Sequence, residues 1–337
     1  MNGTPRISFI IPFYASHNKL DECVQSLVRH CDVPFEIIIV DDGNVAYDFG
    51  SVEQEPTVQI VRNEQNRGPA YRRNQGIKLA QGTYVQFIDS DDTLIGDVSA
   101  YFEAVAKAGT ANPDVITGLL ERRQVIRRLA ENLPRITNLE RETVLVKLSG
   151  FTAHLYAREF LLENAIEFPT DLRSAEDTVF LMRVLARAKA VLLTEITHYS
   201  YRLMDNSLSK PSGQSDSPNV SGNAFELRFM VAAGYVLDAL QAHPTAQVVR
   251  GSIMFKYGIK GMKRIAATEG RKPFGDASSV LALLIKRAGI LCSEADQIRS
   301  ETGVYWDDQL RQVAKDIQEN NIAAVWAVVV EADLRLF

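Results

Sequence analysis

Two runs, Ile7-Ser-Phe-Ile-Ile-Pro-Phe13 and Glu36-Ile-Ile-Ile-Val40, constrain the fold more than any other feature of the chain. Neither alternates apolar with polar residues, so neither can rest with one face in water. Each reads as a strand covered on both sides, the situation in a parallel sheet flanked by helices. Leu20, Val24, Leu27 and Val28 then recur at helical spacing, which makes the first strand the start of a strand and crossover helix. Val58-Gln-Ile-Val61 supplies a third strand. Pro69 opens a helix running through Ala80, because proline is tolerated in a first turn, and Gly82 closes it before a strand over 83–88. Strand and helix alternate over the first 110 residues, which predicts an α/β fold with an open, mostly parallel sheet between helices. In such sheets ligands bind beyond the carboxyl ends of the strands.

Those ends carry Pro12-Phe13-Tyr14, Asp41-Asp42 and Asp89-Ser-Asp-Asp92. Carboxylates crowded together repel one another, and a hard divalent cation with the phosphates it carries offsets that repulsion. A lone Asp-x-Asp-Asp reads more simply as a solvated turn. Three acidic or aromatic strand ends in one order point instead to a shared site.

The 337 residues suffice for a large domain plus a smaller one, with ordinary apolar (46%) and charged (23%) fractions. A net charge of -5 gives no reason to expect a nucleic-acid partner. Cys23, Cys31 and Cys292 lack metal-ligand spacing and leave an odd thiol, which fits a reducing compartment. No basic segment followed by an apolar one precedes the first strand, and no run of about 18 apolar residues occurs, so a cytoplasmic protein is expected.

Beyond residue 110, Gln124-Val-Ile-Arg-Arg and Val144-Leu-Val-Lys-Leu suggest mixed strands, and Thr178 to Ala188 an apolar-faced helix. Ser, Pro, Gly and Asn dominate Ser207 to Gly222, so 211–222 is expected to link a domain over 1–210 to a helical region over 223–337. Within that region Phe255, Ile259 and Met262 form one stripe, with Lys256, Lys260, Lys263 and Arg264 beside it. A packed helical domain is the favoured reading. Peripheral contact with the inner face of the cytoplasmic membrane, or a homodimer surface, is the alternative.

The first 210 residues resemble the family 2 glycosyltransferases, inverting enzymes of the Rossmann-like GT-A fold that use nucleotide-diphospho-sugars. The resemblance is carried by Ile7 to Tyr14, Ile38-Ile-Val-Asp-Asp-Gly43, Asn66 to Ile77, Ala80 to Asp92 and Glu176-Asp-Thr-Val-Phe180, in that order and spacing. It implies that Pro12 and Tyr14 line a base pocket, that Asp42 accepts the uracil N–H, and that Arg73 lies near the nucleotide. Asp89 and Asp91 would correspond to the family's Asp-x-Asp, with Asp91 near ribose and metal and Asp92 the direct ligand of Mg²⁺ or Mn²⁺. Asp177 would be the catalytic base, with Glu176 beside it on the acceptor side; Ser174-Ala-Glu-Asp177 also fits a helix capping box. His154 stands where the family usually has lysine in its acceptor segment, and a neutral structural histidine is an equal reading. Arg202 would meet the diphosphate, or serve as a strand arginine.

The implied function is metal-dependent transfer of a hexose or N-acetylhexosamine from a UDP-sugar to a hydroxyl of a glycan or lipid-linked glycan acceptor, in bacterial capsule, O-antigen or exopolysaccharide synthesis. The alternative is a catalytically inactive nucleotide-binding module on the same fold. A dinucleotide-dependent dehydrogenase would need a Gly-x-Gly-x-x-Gly after the first strand, which is absent. A nucleotidyltransferase would need a glycine-rich basic loop there, and that too is missing.

Overall fold

The computed structural model describes residues 4–14, 19–44, 47–121, 133–142, 145, 148, 150–172 and 175–202, with isolated positions at 232, 234–236, 238–240 and 319. It divides into two compact units, one of residues 1–138, 147–171 and 187–204, the other of 139–146, 172–186 and 205–337. The stretch 172–186 therefore groups with the carboxyl-terminal part of the chain, where the sequence suggested one boundary near 210. The segment around Gln124, the 211–222 linker and the basic stripe at Lys256 to Arg264 lie outside the described residues.

In the first unit the apolar runs form β1 (Ile7–Phe13) and β2 (Phe35–Asp41), joined by α1 (Leu20–His30) and followed by β3 (Val58–Val61). The helix α2 (Pro69–Leu79) then leads to β4 (Tyr84–Phe87), within a residue of the expected bounds. β1 lies parallel to β2 from Ile7↔Phe35 to Phe13↔Asp41, and parallel to β4 from Ile7↔Tyr84 to Ile10↔Phe87. β3 extends the sheet beyond β2, also in parallel. The chain thus winds outward through β2 and β3, then returns to the opposite side of β1. Between β2 and β4 the winding reverses, and such a reversal opens a crevice at the strands' carboxyl ends.

Shorter strands complete an eight-stranded sheet of order β3-β2-β1-β4-β9-β6-β10-β8, with β6 at Val115–Ile116, β8 at Arg135–Thr137, β9 at Leu155–Ala157 and β10 at Val191–Leu193. β9 is antiparallel to both β4 and β6. A second sheet pairs β11 (Thr197–Ser200) with β5 (Thr93–Leu94) and β7 (Leu119–Leu120).

Phe9, Ile11 and Phe13 of β1 and Ile37 and Ile39 of β2 meet Cys23, Val24 and Leu27 of α1 in one buried cluster. α2 packs differently: its buried positions include Arg72, Arg73 and Asn74, so it brings charge to the sheet. It also lies close, since a Cβ on Gly76 would fall 2.3 Å from Ile10 Cγ2. Two further helices, α3 (Ser99–Lys107) and α4 (Arg158–Glu163), belong to the same unit. The second unit contributes α5 (Glu176–Leu185), the helix expected from Thr178 onward. Among the described residues no helix is long and apolar enough to cross a membrane.

Candidate active site

β1 and β2 end side by side at Phe13 and Asp41, and Tyr14 follows with 54% of its surface exposed. Pro12 is half-buried within β1. Asp41 is fully buried, and its Oδ1 accepts from Asn44 N at 3.2 Å and Asn44 Nδ2 at 2.6 Å. Gly43 then turns the chain at φ 93°, where a Cβ would lie 2.9 Å from Asn66 N. Only glycine accommodates both that φ and that approach.

Asp42 is buried with 4% exposure and carries three donors. Its Oδ1 accepts from Arg67 N at 2.8 Å and Arg72 Nε at 2.7 Å, and its Oδ2 from Gly68 N at 2.8 Å. Arg72, 2% exposed, also donates to Gln65 O and to Gln75 Oε1. These three bonds leave room on the carboxylate for a fourth donor, so they are compatible with the expected contact of Asp42 with a base N–H. This carboxylate anchors the loop over 65–68 and the start of α2, and so shapes the wall of the crevice from behind.

Arg73 comes from the next position of α2, donates to Asp89 Oδ1 at 2.8 Å, and stacks 4.8 Å from the Phe151 ring and 5.3 Å from Phe168. It was expected near the nucleotide, and its guanidinium lies against the acidic end of β4. Asp89, Ser90 and Asp91 are partly exposed, whereas Asp92 is fully buried. A turn closed by Asp92 N–H to Asp89 O at 3.0 Å aims the two ends apart. Asp92 Oδ2 accepts from the Tyr199 hydroxyl at 2.6 Å and Oδ1 from Arg202 N at 2.8 Å. Tyr199 in turn accepts from Asp89 N–H at 3.2 Å.

Asp92 was the expected direct metal ligand; in this structure it is fully buried and both its oxygens accept hydrogen bonds, an arrangement that does not favour that role. Burial, then the charge of Asp89, pushes its carboxyl up to about 7, against the hydrogen bonds from Arg202 and Tyr199. The repulsion expected of crowded carboxylates is thus present. Among the described residues no group of three or more His, Cys, Asp or Glu side chains is arranged to hold a metal ion.

Arg202 extends its guanidinium to Glu22 of α1, at 2.7 Å to Oε1 and 2.9 Å to Oε2. His154 was read either as an acceptor contact or as a neutral structural histidine, and its surroundings are those of the second. Its ring is fully buried behind β9, Nδ1 accepts from Gly118 N at 3.2 Å, and burial depresses its pKa to about 4. A neutral histidine without solvent access cannot meet an acceptor sugar.

Glu176 and Asp177 open α5 in the second unit, both half-buried. Asp177 Oδ1 accepts from Thr178 N at 2.7 Å. The capping residue is Ala175, at φ 62° and without a side-chain cap, so the capping box read from Ser174 is replaced by a left-handed entry.

The sequence reading passed over Arg72, Tyr199 and Glu22. Arg72 was half-visible as one of a doubled arginine within Asn66 to Ile77, and Tyr199 carried no signal of its own. Glu22 left no signal, because its partner is 180 residues away.

Residues 8–158 match the family model Glycosyl transferase family 2. A poly(ribitol-phosphate) beta-glucosyltransferase of Bacillus spizizenii is 32% identical over 206 residues, which are 58% of this chain and 32% of the relative. The Staphylococcus aureus poly(ribitol-phosphate) beta-N-acetylglucosaminyltransferase TarS is 29% identical over 58% of this chain and 35% of its own length. The succinoglycan biosynthesis protein ExoO of Rhizobium meliloti is 25% identical over 62% of this chain and 64% of its own. The chain therefore spans only about one to two thirds of these relatives. Crystal structures of S. aureus TarS 1-349 superpose on 96% of this chain and 90% of theirs, with TM-score 0.66 at 20% identity alone, and 0.63 at 22% identity for the complex with UDP-GlcNAc. At these identities the superposition establishes the fold.

Proposed function

We propose, for a chain that belongs to the family 2 glycosyltransferases through residues 8–158, that it transfers a hexose or N-acetylhexosamine from a UDP-sugar to a glycan hydroxyl, inverting the anomeric carbon. The observation that carries this reading is the acidic end of β4, where Arg73 holds Asp89 and the turn leaves Asp91 partly exposed at the crevice. UDP is favoured because TarS, similar in both sequence and fold, has been crystallised with UDP and with UDP-GlcNAc. A surface-polysaccharide acceptor is favoured because the named relatives act on poly(ribitol phosphate) or in succinoglycan biosynthesis.

The donor's base would rest near Tyr14 and Pro12, with the loop anchored by Asp42 as its wall. When bound, Mg²⁺ or Mn²⁺ at Asp91 and Asp89 would offset charge on the diphosphate as the glycosidic bond breaks. Asp177 would take the proton of the acceptor hydroxyl as that oxygen attacks the anomeric carbon from the opposite face. One displacement on an α-linked donor yields a β product, the linkage in two relatives' names. Arg73 holds and orients Asp89 while the cation and diphosphate come and go.

The test is UDP release from a panel of UDP-sugars, with poly(ribitol phosphate) and oligosaccharide acceptors, by wild type and Asp177→Asn. Transfer to an acceptor that falls by about 10²- to 10⁴-fold in the variant, at unchanged UDP affinity, supports the reading. UDP binding without transfer would make the chain a nucleotide-binding module.

A further inference from the structure

Arg202 has two attachments of different kinds. Its main-chain N–H secures Asp92, and its guanidinium forks onto both oxygens of Glu22. Lys19 Nζ lies 3.3 Å from Glu22 Oε2, so two cations share one carboxylate. That carboxylate stands in the first turn of α1, the helix that follows the carboxyl end of β1. The charges of Asp91 and Asp92 also act on Arg202, which places its guanidinium in the field of the acidic strand end. The Arg202 and Glu22 side chains are 28% and 53% exposed, so water and ligands reach the pair.

We propose that Glu22 is an internal stand-in for the donor's diphosphate: it holds Arg202 and Lys19 in the donor-free protein and gives them up when a nucleoside diphosphate arrives. The inference rests on the donor reading above and adds to it a residue that sets how tightly the diphosphate is held. A guanidinium makes the same two-pronged contact with carboxylate and phosphate, so Arg202 changes partner without changing its donor geometry. An exposed ion pair is weak, which keeps the exchange inexpensive. The pairing has a second effect. After transfer, the return of Glu22 to Arg202 competes with the departing UDP and favours its release.

The test is calorimetric titration of wild type, Glu22→Gln, Arg202→Gln and the double variant with UDP and with uridine, in Mg²⁺. Uridine lacks the diphosphate and reports on the base pocket and the fold alone. The expected result is UDP binding tighter in Glu22→Gln by about 3- to 10-fold, uridine binding unchanged, and most of that gain lost when Arg202→Gln is added. UDP binding equal or weaker in Glu22→Gln, while wild type binds UDP, would overturn this proposal alone. No UDP binding by wild type would overturn the donor reading and this inference with it.

Discussion

At the scale of single residues, the aspartates at the strand ends divide into Asp41, Asp42 and Asp92, which are buried and hold the structure, and Asp89 and Asp91, which are partly exposed. Asp42 and Arg72 form a buried pair at 2.7 Å, with side-chain exposures of 6% and 2%. Removing one partner leaves the other charge buried and uncompensated. Arg72→Ala should therefore cost about 3–5 kcal/mol of stability by urea denaturation; a loss under about 1 kcal/mol would contradict the role assigned to the pair. Asp91 and Asp92 are adjacent but serve opposite purposes. Asp92→Ala strips the acceptor from Tyr199 and Arg202 and should lower the melting temperature, whereas Asp91→Ala should leave it unchanged and weaken metal-dependent UDP binding. The opposite pattern in thermal scans and titrations would restore Asp92 as the ligand. The sequence displayed these carboxylates but not which way each one points. That depends on a turn bond from Asp92 N to Asp89 O and on a tyrosine 107 residues later in the chain.

At the scale of elements, Pro69 and Gly82 marked α2 and β4 in the sequence because proline and glycine act locally on the backbone. β9 left no such mark. It has three residues, and its antiparallel pairing to β4 and β6 is decided by tertiary context. The buried polar layer behind β4 was also illegible. Gln86 Nε2 donates to Thr152 O at 2.9 Å and contacts His198 Nε2 at 2.9 Å, while His198 Nδ1 meets the Tyr101 hydroxyl at 2.5 Å. Tyr101 donates on to Ala153 O at 3.0 Å, which leaves Nδ1 as the protonated nitrogen of His198 and Nε2 as its acceptor. A Cβ on Gly118 would fall 1.9 Å from that hydroxyl and 2.3 Å from Ala153 O. Gly118→Ala should accordingly destabilise by about 1–3 kcal/mol, readable as a lowered denaturation midpoint; an unchanged midpoint would show that the layer yields freely.

Burial holds His198 and His154 neutral, with pKa values lowered to about 3 and about 4. In the unfolded chain both titrate near the ordinary 6.5. As pH falls below that value the unfolded state takes up protons that the folded state refuses. The stability these groups give at neutral pH is therefore lost progressively from about 6.5 down to 4 and 3. The melting temperature should drop between pH 7 and pH 4.5, less steeply in His198→Gln; equal slopes would remove His198 as a cause.

At the scale of the whole molecule, sheet order explains why distant segments meet. β1 lies between β2 and β4, reached by connections running opposite ways, so Tyr14, the loop anchored at Asp42 and the acidic end of β4 face one crevice. The alternation of buried strands and helices in the sequence was enough to predict that crevice, because the parallel sheet follows from hydrophobic pattern alone. The antiparallel far side was legible only as mixed strands beyond residue 110, and the grouping of α5 with the carboxyl-terminal part was not predictable, since both depend on contacts between short, weakly patterned segments. The central claim is a cation-assisted UDP site at the end of β4. Its most direct test is calorimetric titration of wild type and Asp91→Asn with UDP, ADP and GDP, in Mn²⁺ and again with chelator. The expected result is metal-dependent binding of UDP alone, lost in Asp91→Asn. Equal binding of all three nucleotides, or UDP binding indifferent to chelator and to Asp91, would contradict it.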